Sequence, residues 1–279
     1  MGKIRLFLIC SALLFITSLG YAETPSANQL QSLKLKEHHV IAYFSEDGER
    51  VYSRSRSSYY RKLLKVNDDG SIVIQDFYTK TDNKQMEPAT LMDLKDMYSW
   101  VALNIDGTLI NWYESGQKEQ QSFYVKGKLE GKMLSWYESG SKQSEGNFKQ
   151  GKEEGIFLEW YESGAKKQEE FYIKGLLEGE VKYWYESGTL AFKEFYQQGK
   201  AQGKISYWFD NGQLQELGYM VDDKLEGIYQ TWYKNGQLAS RAYYEQNKIV
   251  GKKEKWDETG KLIWQGNFRQ GHILWPRYQ

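Results

Sequence analysis

One carboxylate position recurs along the chain in a way that could serve hydrolysis. Acidic residues stand two places after a repeated tryptophan, in the row Glu114, Glu138, Glu162, Glu186 and Asp210. Glycosidases use two carboxylates about 5.5 Å or roughly 6.5–9.5 Å apart, so neighbouring members of such a row nominally reach the wider spacing. A catalytic carboxylate differs chemically from its surroundings, whereas this row is uniform. We therefore expect solvated turn residues and predict that the protein is not an enzyme.

Histidine is too scarce for most other catalytic chemistry. The three histidines are His38, His39 and His272, and the first two would point to opposite faces of a strand. No Ser–His–Asp arrangement can be built from them. The glycines end strands and do not open helices, so no phosphate-binding loop is expected. We predict no metal and no cofactor.

A basic run is the one local patch with a distinctive charge. The segment RVYSRSRSSYYRKLLK contains no acid and six basic residues, namely Arg50, Arg54, Arg56, Arg61, Lys62 and Lys65. Interleaved tyrosines would let such a run bind an acidic partner, phospholipid headgroups or a nucleic acid. The alternative is a strand with one charged, solvated face. The formal net charge of the chain is zero, which argues against a nucleic-acid partner.

The composition and the first residues indicate a folded, exported protein. The chain has 279 residues, and its 22 tyrosines and 10 tryptophans supply apolar area to bury. Residues 1–22 combine a basic start, an apolar run from Leu6 to Gly20 and a small-residue end at Ala22. This pattern is typical of a secretory signal peptide, cut after Ala22, and the run is short for a membrane span of about 20 residues. We therefore expect the mature chain to be periplasmic and to have no transmembrane segment. Because Cys10 lies inside the run that is removed, the mature chain should also have no thiol.

The elements that carry these residues repeat every 24 residues. Glycine stands four places after each tryptophan of the series Trp112, Trp136, Trp160, Trp184, Trp208, Trp232 and Trp256. Fifteen places after the tryptophan the chain has glycine or, in two copies, Asp223 and Asn247, which tolerate a positive φ best among other residues. That column predicts a turn. At the first glycine we expect a three-residue loop closed by a glycine bulge, with a two-residue primed turn as the alternative at Asn211-Gly212 and Asn235-Gly236.

Two turns in every 24 residues leave two strands of about eight residues and no room for a helix. Proline is absent from Trp112 to Trp275, and aromatic and β-branched residues are common there. We predict an all-β fold, an elongated antiparallel β-meander of 24-residue hairpin repeats in a single-layer twisted sheet. Seven repeats at about 4.8 Å per strand would extend roughly 65 Å. Because one layer has little core, a tryptophan in each unit would stabilise it by stacking on the next repeat.

The segment WYESGSKQSEGNFKQGKEEG (136–155) shows the full repeat pattern, an aromatic-Tyr-x-x-Gly followed by a second glycine-centred turn and a third glycine. It resembles the variant MORN-repeat family, whose exported bacterial members are often classed as antitoxin components of toxin–antitoxin systems. The resemblance covers residues 112–271. It implies a sheet of hairpins and a non-catalytic module that binds a protein, such as a cognate toxin. MORN-type repeats also serve as scaffolds and membrane-associating modules.

The flanking segments complete the predicted organisation. Residues 23–37 are expected to be a linker, and 272–279 a carboxy-terminal cap. We expect 38–111 to contain divergent repeats that start and cap the same sheet. Within this part, NIDGTLINWY (104–113) indicates another turn between strands, and LMDLKDMYSW (91–100) indicates an irregular insertion with helical tendency.

The residue after each tryptophan forms the candidate binding surface, which comprises Tyr113, Tyr137, Tyr161, Tyr185, Phe209 and Tyr233. Successive side chains of a strand point to opposite faces, so we expect these rings on the face opposite the tryptophans, exposed and about 9.6 Å apart. An exposed aromatic patch of that extent usually marks an interaction surface. The alternative is that the rings pack flat and protect a thin sheet.

Two functional hypotheses follow. The first is an exported antitoxin or immunity protein that binds a cognate toxin and neutralises it by steric occlusion. The second is a cell-envelope scaffold or a glycan- or membrane-surface-binding protein, since evenly spaced rings can stack on sugars. Binding to the product of the adjacent gene would favour the first, and binding to peptidoglycan or polysaccharide the second.

Overall fold

A computed structural model describes residues 36–100 and 104–278 of the chain. The predicted signal peptide (1–22) and most of the predicted linker (23–37) lie outside these ranges. The amino-terminal region contains five strands and two 3₁₀ helices: β1 (Val40–Phe44), β2 (Arg50–Val51), η1 (Arg54–Arg56), β3 (Tyr59–Val66), β4 (Ile72–Tyr78), β5 (Ala89–Leu91) and η2 (Leu94–Tyr98).

The repeat region continues with hairpins in which short strands alternate with longer ones. In chain order these are β6 (Ile105–Trp112), β7 (Lys118–Val125), β8 (Lys128–Leu129), β9 (Gly131–Trp136), β10 (Lys142–Lys149), β11 (Lys152–Glu153), β12 (Gly155–Trp160), β13 (Lys166–Ile173), β14 (Leu176–Leu177), β15 (Gly179–Trp184), β16 (Leu190–Gln197), β17 (Lys200–Trp208), β18 (Leu214–Val221), β19 (Lys224–Leu225), β20 (Gly227–Trp232), β21 (Leu238–Glu245), β22 (Lys248–Trp256), β23 (Leu262–Arg269) and β24 (His272–Tyr278).

All these strands belong to one 24-stranded antiparallel sheet whose pairing follows the chain. The amino-terminal region joins the repeats where β5 pairs with β6, with Leu91 opposite Ile105. At the start, β1 pairs with both β2 and β3, so the two-residue strand β2 lies at the sheet edge. The predicted all-β antiparallel meander of 24-residue hairpins is confirmed.

The loop after each tryptophan has the same hydrogen bonds in every copy. In the second copy the Tyr137 N–H donates to the Ser141 carbonyl at 2.9 Å, and the Gly140 N–H donates to the Tyr137 carbonyl at 2.8 Å. Gly140 has φ +88°, as a glycine that closes a bulge requires. The predicted three-residue loop is therefore confirmed. The primed-turn alternative at Asn211-Gly212 is wrong, because there too the Gly212 N–H donates to the Phe209 carbonyl, at 2.9 Å.

The second turn of each repeat is a two-residue primed turn. Its two central residues both have positive φ, 48° at Lys126 and 72° at Gly127 in the first copy. This is the turn that matches the right-handed twist of paired strands. The predicted positive φ fifteen places after the tryptophan is confirmed, including at Asp223 (64°) and Asn247 (67°). The sequence did not indicate that the residue just before it, a lysine or glutamine in most copies and Asp222 in one, also has a positive φ.

Where glycine is replaced in this turn, the new side chain gains a bond to the preceding repeat. The Ala201 N–H donates to Asp223 Oδ1 at 2.8 Å, and the Leu225 N–H donates to Asn247 Oδ1 at 2.6 Å. A net hydrogen bond contributes about 1 kcal/mol. That bond offsets part of the strain of a left-handed backbone at a residue with a Cβ.

A third glycine column marks a bulge at which one repeat holds the next. Gly131 has φ +72°, and the Glu130 carboxylate just before it accepts the Gln150 N–H of the next primed turn at 2.8 Å. Glu154, Glu178 and Glu226 do the same for the turns that follow them. We call these contacts glutamate clamps: in each, a carboxylate of one repeat accepts a backbone N–H of the next repeat's primed turn. Each clamp satisfies a backbone donor that a tight turn leaves unpaired.

The same geometry corrects one prediction. NIDGTLINWY was expected to hold a turn, but β6 runs through it and Gly107 (φ +100°) is the first bulge glycine. Asp106 takes the place of the clamping glutamate and accepts the Lys126 N–H at 3.0 Å. Gly107 stands five places before Trp112, the spacing of the bulge glycines that follow, so the column already contained it.

The amino-terminal region contains a hydrophobic core. Leu63, Ile72, Ile74, Leu91 and Met97 are all inaccessible to solvent and pack in one cluster. The helix η2 lies in the insertion that the sequence predicted, and Asp93 caps it by accepting the Lys95 N–H. This region therefore starts the sheet with a packed core of its own.

Candidate binding surfaces

The predicted aromatic row is less exposed than expected, and its hydroxyls are occupied. All six residues are half-buried. The Tyr113, Tyr137, Tyr161, Tyr185 and Tyr233 hydroxyls each donate to the carbonyl of the next repeat's tryptophan, at 2.7–2.8 Å. Phe209 has no hydroxyl and makes no such bond. We call this row the tyrosine ladder. The expectation of exposed rings is wrong because each ring lies against the following repeat, whereas a binding role for the row stays a prediction.

The tryptophans are held by the preceding repeat. Lys118 Nζ lies 5.2 Å from the centre of the Trp136 ring, and Lys142 and Lys166 occupy the same place over Trp160 and Trp184. Cation–π contacts of this kind contribute about 0.5–1 kcal/mol at exposed sites. A lysine of one repeat thus contacts the tryptophan of the next, whereas the predicted stacking of each tryptophan on the following repeat stays a prediction.

The predicted basic patch is dispersed. Arg61 is fully buried, and Nε and Nη2 donate to the two Asp76 oxygens at 2.8 Å each. Its Nη1 donates to three carbonyl oxygens at the end of η2, those of Asp96, Met97 and Ser99. Arg61 therefore joins the sheet to η2 and cannot belong to a surface patch.

The other basic residues do not form one face either. Arg54 bonds Asp82 at 2.6 Å, Arg50 lies 3.9 Å over the Tyr98 ring, and Lys62 lies 4.8 Å over the Phe77 ring. Only Arg56 and Lys65 are exposed without a described partner. The alternative of one charged strand face is wrong as well, because η1 interrupts the run and Arg61 turns inward.

The recurring acidic row behaves as turn residues. Glu138, Glu162, Glu186 and Asp210 are exposed, and Asp210 pairs with Lys234 of the next repeat at 2.5 Å. Among the described residues no group of three or more His, Cys, Asp or Glu side chains could hold a metal ion. Within the same residues, no helix is both long and apolar enough to cross a membrane.

The exposed aromatic surface lies in the strand that follows the loop, and not at the tyrosine ladder. Eleven places after the tryptophan, the rings of Phe123, Phe171, Phe195, Tyr219 and Tyr243 are 39–52% exposed. Ile156 pairs directly with Phe171, and Ile228 with Tyr243, and both isoleucines are also exposed. We call this row the aromatic ridge and its side of the sheet the ridge face.

Strand parity would have located this ridge. The neighbouring column, twelve places after the tryptophan, is aromatic in most copies, as at Tyr124, Tyr172 and Tyr196, and adjacent strand residues point to opposite faces. Two aromatic columns side by side therefore mean one ring row on each face. The row that was predicted to be exposed, the tyrosine ladder, instead stands at the end of the preceding strand, where the loop begins.

Charges on the ridge face are paired. Glu145 accepts from Lys132 at 2.7 Å and from Lys142, and these two ammonium groups hold the pKa of the Glu145 carboxyl below its usual range. Lys182 and Lys193 likewise lower the pKa of Glu180. The ridge is thus bordered by compensated, solvated ion pairs.

The opposite side of the sheet carries carboxylates without cationic partners. Glu170 accepts from the Tyr172 hydroxyl at 2.8 Å and from the Tyr183 hydroxyl at 3.1 Å, and Glu194 accepts from the Tyr196 hydroxyl at 2.8 Å. Burial raises the pKa of both carboxyls. Burial also raises the pKa of Glu216, which accepts from the Tyr229 hydroxyl. We call this side the glutamate face.

A small pocket opens on the glutamate face. It has a volume of about 150 Å³, and its lining includes Phe148, Phe157, Glu170, Tyr172 and Tyr183. Phe157 meets Phe148 and Tyr172 nearly edge to face, with ring centres 5.3 and 5.0 Å apart. The pocket lies between the second and third repeats and combines aromatic walls with a carboxylate.

The geometry defines a class, the β-repeat proteins built as one open sheet of near-identical hairpins. The family described as MORN repeat variant matches residues 105–126, 129–150, 153–174, 177–198 and 225–246. Each match covers one hairpin, from the strand that ends at the tryptophan to the primed turn. The five matches lie within residues 105–246, and the chain belongs to this repeat family. No curated protein matches the chain.

Two solved structures are similar in a limited way. One, "Crystal Structure of TcdB2-TccC3-Cdc42", is 10% identical over 86% of this chain, with a TM-score of 0.19, and this chain spans only 16% of its length. The other is a porin-like protein from Bacteroides uniformis ATCC 8492, 9% identical over 78% of this chain and 94% of its own length, with a TM-score of 0.17. Scores this low carry no argument about fold or function.

Proposed function

We propose that this chain is a non-catalytic binding module whose partner is a protein that docks on the aromatic ridge. The observation that carries the proposal is the row of five exposed rings, flanked by the exposed isoleucines Ile156 and Ile228, on one face of the sheet. Contiguous exposed apolar surface marks interaction sites, and aromatic anchors dominate the binding energy of interfaces.

The charges beside the ridge favour a protein as the partner. Ion pairs such as Lys166–Glu169 and Lys132–Glu145 border the rings, which gives an apolar centre with a polar rim. The backbone beneath the ridge is fixed by ladders between repeats, so little ordering entropy is lost on docking. A rigid, repetitive face suits occlusion of a partner's surface.

The finer proposal concerns the biological role. The apolar run at residues 6–20 supports export, and the family resemblance supports an antitoxin or immunity protein that neutralises a toxin by covering it. Neutralisation would then be stoichiometric and need no chemistry by this chain. An exported neutraliser implies a toxin that acts on the envelope or arrives from outside.

The test combines binding with protection. The chain is co-expressed with the product of the adjacent gene, and complex formation and survival of cells making that product in the periplasm are measured. A triple variant, Phe171→Ala with Phe195→Ala and Tyr219→Ala, is expected to weaken binding at least tenfold, since each buried anchor contributes more than about 1 kcal/mol. The matched control replaces the exposed loop residues Glu138, Glu162 and Glu186 with Gln. Failure to bind or protect, or an equal effect of both triple variants, would contradict the proposal.

The second candidate is a glycan-binding surface. It is favoured by the regular recurrence of the ridge rings from Phe171 to Tyr243, in four successive repeats and about 9.6 Å apart, because flat rings stack on sugar faces. Retention on peptidoglycan or polysaccharide, lost in the ridge triple variant and kept in the loop control, would support this function over the first.

A further inference from the structure

The pocket on the glutamate face has no role in ridge binding, because it lies on the other side of the sheet. Glu170 pairs with Phe157 across β12 and β13, whereas the ridge residue Phe171 pairs with Ile156. A ligand of the pocket is therefore independent of the protein partner proposed above.

The pocket exists because of the residues ten places after the tryptophan. In the second repeat this residue is Gly146, and a Cβ there would lie 2.2 Å from Phe157 Cε1. The Phe157 ring therefore rests on the backbone of β10. In the third repeat the same position is Glu170, which pairs with Phe157 across the hairpin. The Phe157 ring between Gly146 and Glu170 thus forms one wall of a hollow whose lining also includes Phe148, Tyr172 and Tyr183.

The charge in this hollow is uncompensated. Glu153 and Glu170 both line it, and neither forms a salt bridge with a described residue. On the ridge face the adjacent Glu169 pairs with Lys166 at 2.8 Å, and Glu145 has two lysine partners. The other two lining glutamates are paired, Glu159 with Lys167 at 3.1 Å and Glu145 with its two lysines. Among the described lining residues there is no lysine or arginine, so Glu153 and Glu170 remain the unpaired carboxylates of the pocket.

We propose that this pocket binds an organic ammonium group between the rings of Phe157, Tyr172 and Tyr183, with the Glu170 carboxylate as its counter-ion. Aromatic faces attract cations through their quadrupoles, most strongly where the site is desolvated. A volume of about 150 Å³ is below the roughly 300 Å³ of sites for drug-sized molecules. The pocket suits one ammonium headgroup or the end of one lysine side chain.

The tyrosine hydroxyls prepare the carboxylate for this role. Tyr172 donates to Glu170 Oε2 and Tyr183 donates to Oε1, so the carboxylate is held in place and keeps acceptor capacity on both oxygens. Without a ligand, burial penalises the charged form of Glu170. A bound cation removes that penalty, so ligand binding and ionisation of this residue reinforce each other.

The experiment uses ligand-observed NMR on the full chain with choline and with its neutral isostere 3,3-dimethyl-1-butanol. We expect saturable choline binding and at least tenfold weaker binding of the isostere. Glu170→Gln should weaken choline binding at least tenfold. Its matched control is Glu169→Gln, which removes the same charge from the neighbouring residue on the ridge face and should leave binding unchanged.

Further arms separate the sources of the cation and guard against misfolding. N-acetyl-lysine methylamide tests for a protein lysine, and choline for a free quaternary ammonium, and tighter binding of one identifies the source. Tyr183→Phe keeps the ring and should retain most binding, which shows that a modified pocket still folds. No saturable binding of either cation, equal binding of the neutral isostere, or equal losses in the two glutamine variants would overturn the proposal.

Discussion

The amino-terminal region and the repeat region belong to one sheet but are stabilised differently. Most of the fully buried apolar residues lie in the first region, where Leu63, Ile72, Ile74 and Leu91 pack beneath η2. In the repeats only a few, such as Phe148, Val181 and Ile205, are buried. The repeats instead connect neighbour to neighbour through tyrosine hydroxyls, glutamate clamps and lysine–tryptophan contacts.

The difference shows how a thin sheet compensates for a missing core. A repeat that contacts only its neighbours gains stability from the sum of identical interface bonds. Each bond contributes about 1 kcal/mol, and each recurs every 24 residues. The amino-terminal region has no such repetition, so its stability depends on a few large contributions. Substitutions in the first region should therefore cost more than equivalent ones in the second.

The largest effect is expected at the buried ion pair of the amino-terminal region. Arg61→Met leaves the Asp76 carboxylate buried and three carbonyl groups of the η2 segment without their donor. Removing one partner of a buried pair typically costs about 3–5 kcal/mol. Denaturant unfolding should show a loss of this size.

The control for that measurement is Arg56→Ala, an exposed arginine only five residues away. Its effect should stay within about 0.5 kcal/mol. Similar losses in both variants would mean that the basic run contributes to stability through its overall charge, and the contrast between buried and exposed arginines would fail.

Two glycine substitutions sharpen the comparison inside the repeats. Gly146→Ala places a Cβ against Phe157 and should cost about 1–3 kcal/mol through overpacking. Gly155→Ala meets nothing within 4 Å but has φ +82°, so it should cost about 1–2 kcal/mol through backbone strain alone. Adding Phe157→Leu should recover stability in the first variant and not in the second. Equal recovery in both unfolding experiments would show that the fold requires the two glycines for the same reason.

The tyrosine ladder offers a pair of substitutions with opposite signs. Tyr161→Phe removes the hydroxyl bond to the Trp184 carbonyl and should cost about 1 kcal/mol. Phe209→Tyr would add the missing member of the ladder by donating to the Trp232 carbonyl, and should stabilise the chain by a similar amount. Thermal unfolding of the two variants measures both changes. If Phe209→Tyr destabilised the chain, the absence of a hydroxyl at this position would not be the loss of a stabilising hydrogen bond.

The repeat region could be predicted from the sequence because backbone geometry restricts its glycines. Loops, primed turns and strand lengths follow from columns such as Gly140 and Gly127, in which positive φ leaves few residue choices. The amino-terminal core could not be predicted in this way, since its contacts join residues far apart that obey no period. Arg61 shows the difference, because its partners in η2 are 35–38 residues away.

The candidate sites were less accessible to sequence reasoning. Parity alone places Phe171 and Tyr172 on opposite faces, but exposure depends on what the next repeat lays over each ring. The tyrosine ladder was expected to be exposed because its hydroxyl acceptors are backbone carbonyls, which leave no trace in the sequence. The pocket likewise depends on Gly146, whose role appears only when Phe157 lies on it.

The smallest predicted effect compares the two faces of the sheet by pH. Burial raises the folded-state pKa of Glu194, so its favourable contribution is fully present below the unfolded pKa of about 4.3 and is lost as pH rises through the folded value. Glu194→Gln lacks this loss and should be more stable than the parent chain at pH 7, by no more than about 1 kcal/mol, with convergence in acid.

The matched variant on the ridge face is Glu145→Gln. Lys132 and Lys142 lower the pKa of Glu145, so its contribution is present above the unfolded pKa and is lost as pH falls through the folded value. Glu145→Gln should therefore be less stable than the parent at pH 7 and also converge in acid. Unfolding curves between pH 3 and pH 7 would give differences of opposite sign, and the same sign for both variants would mean that the two faces do not differ in charge compensation.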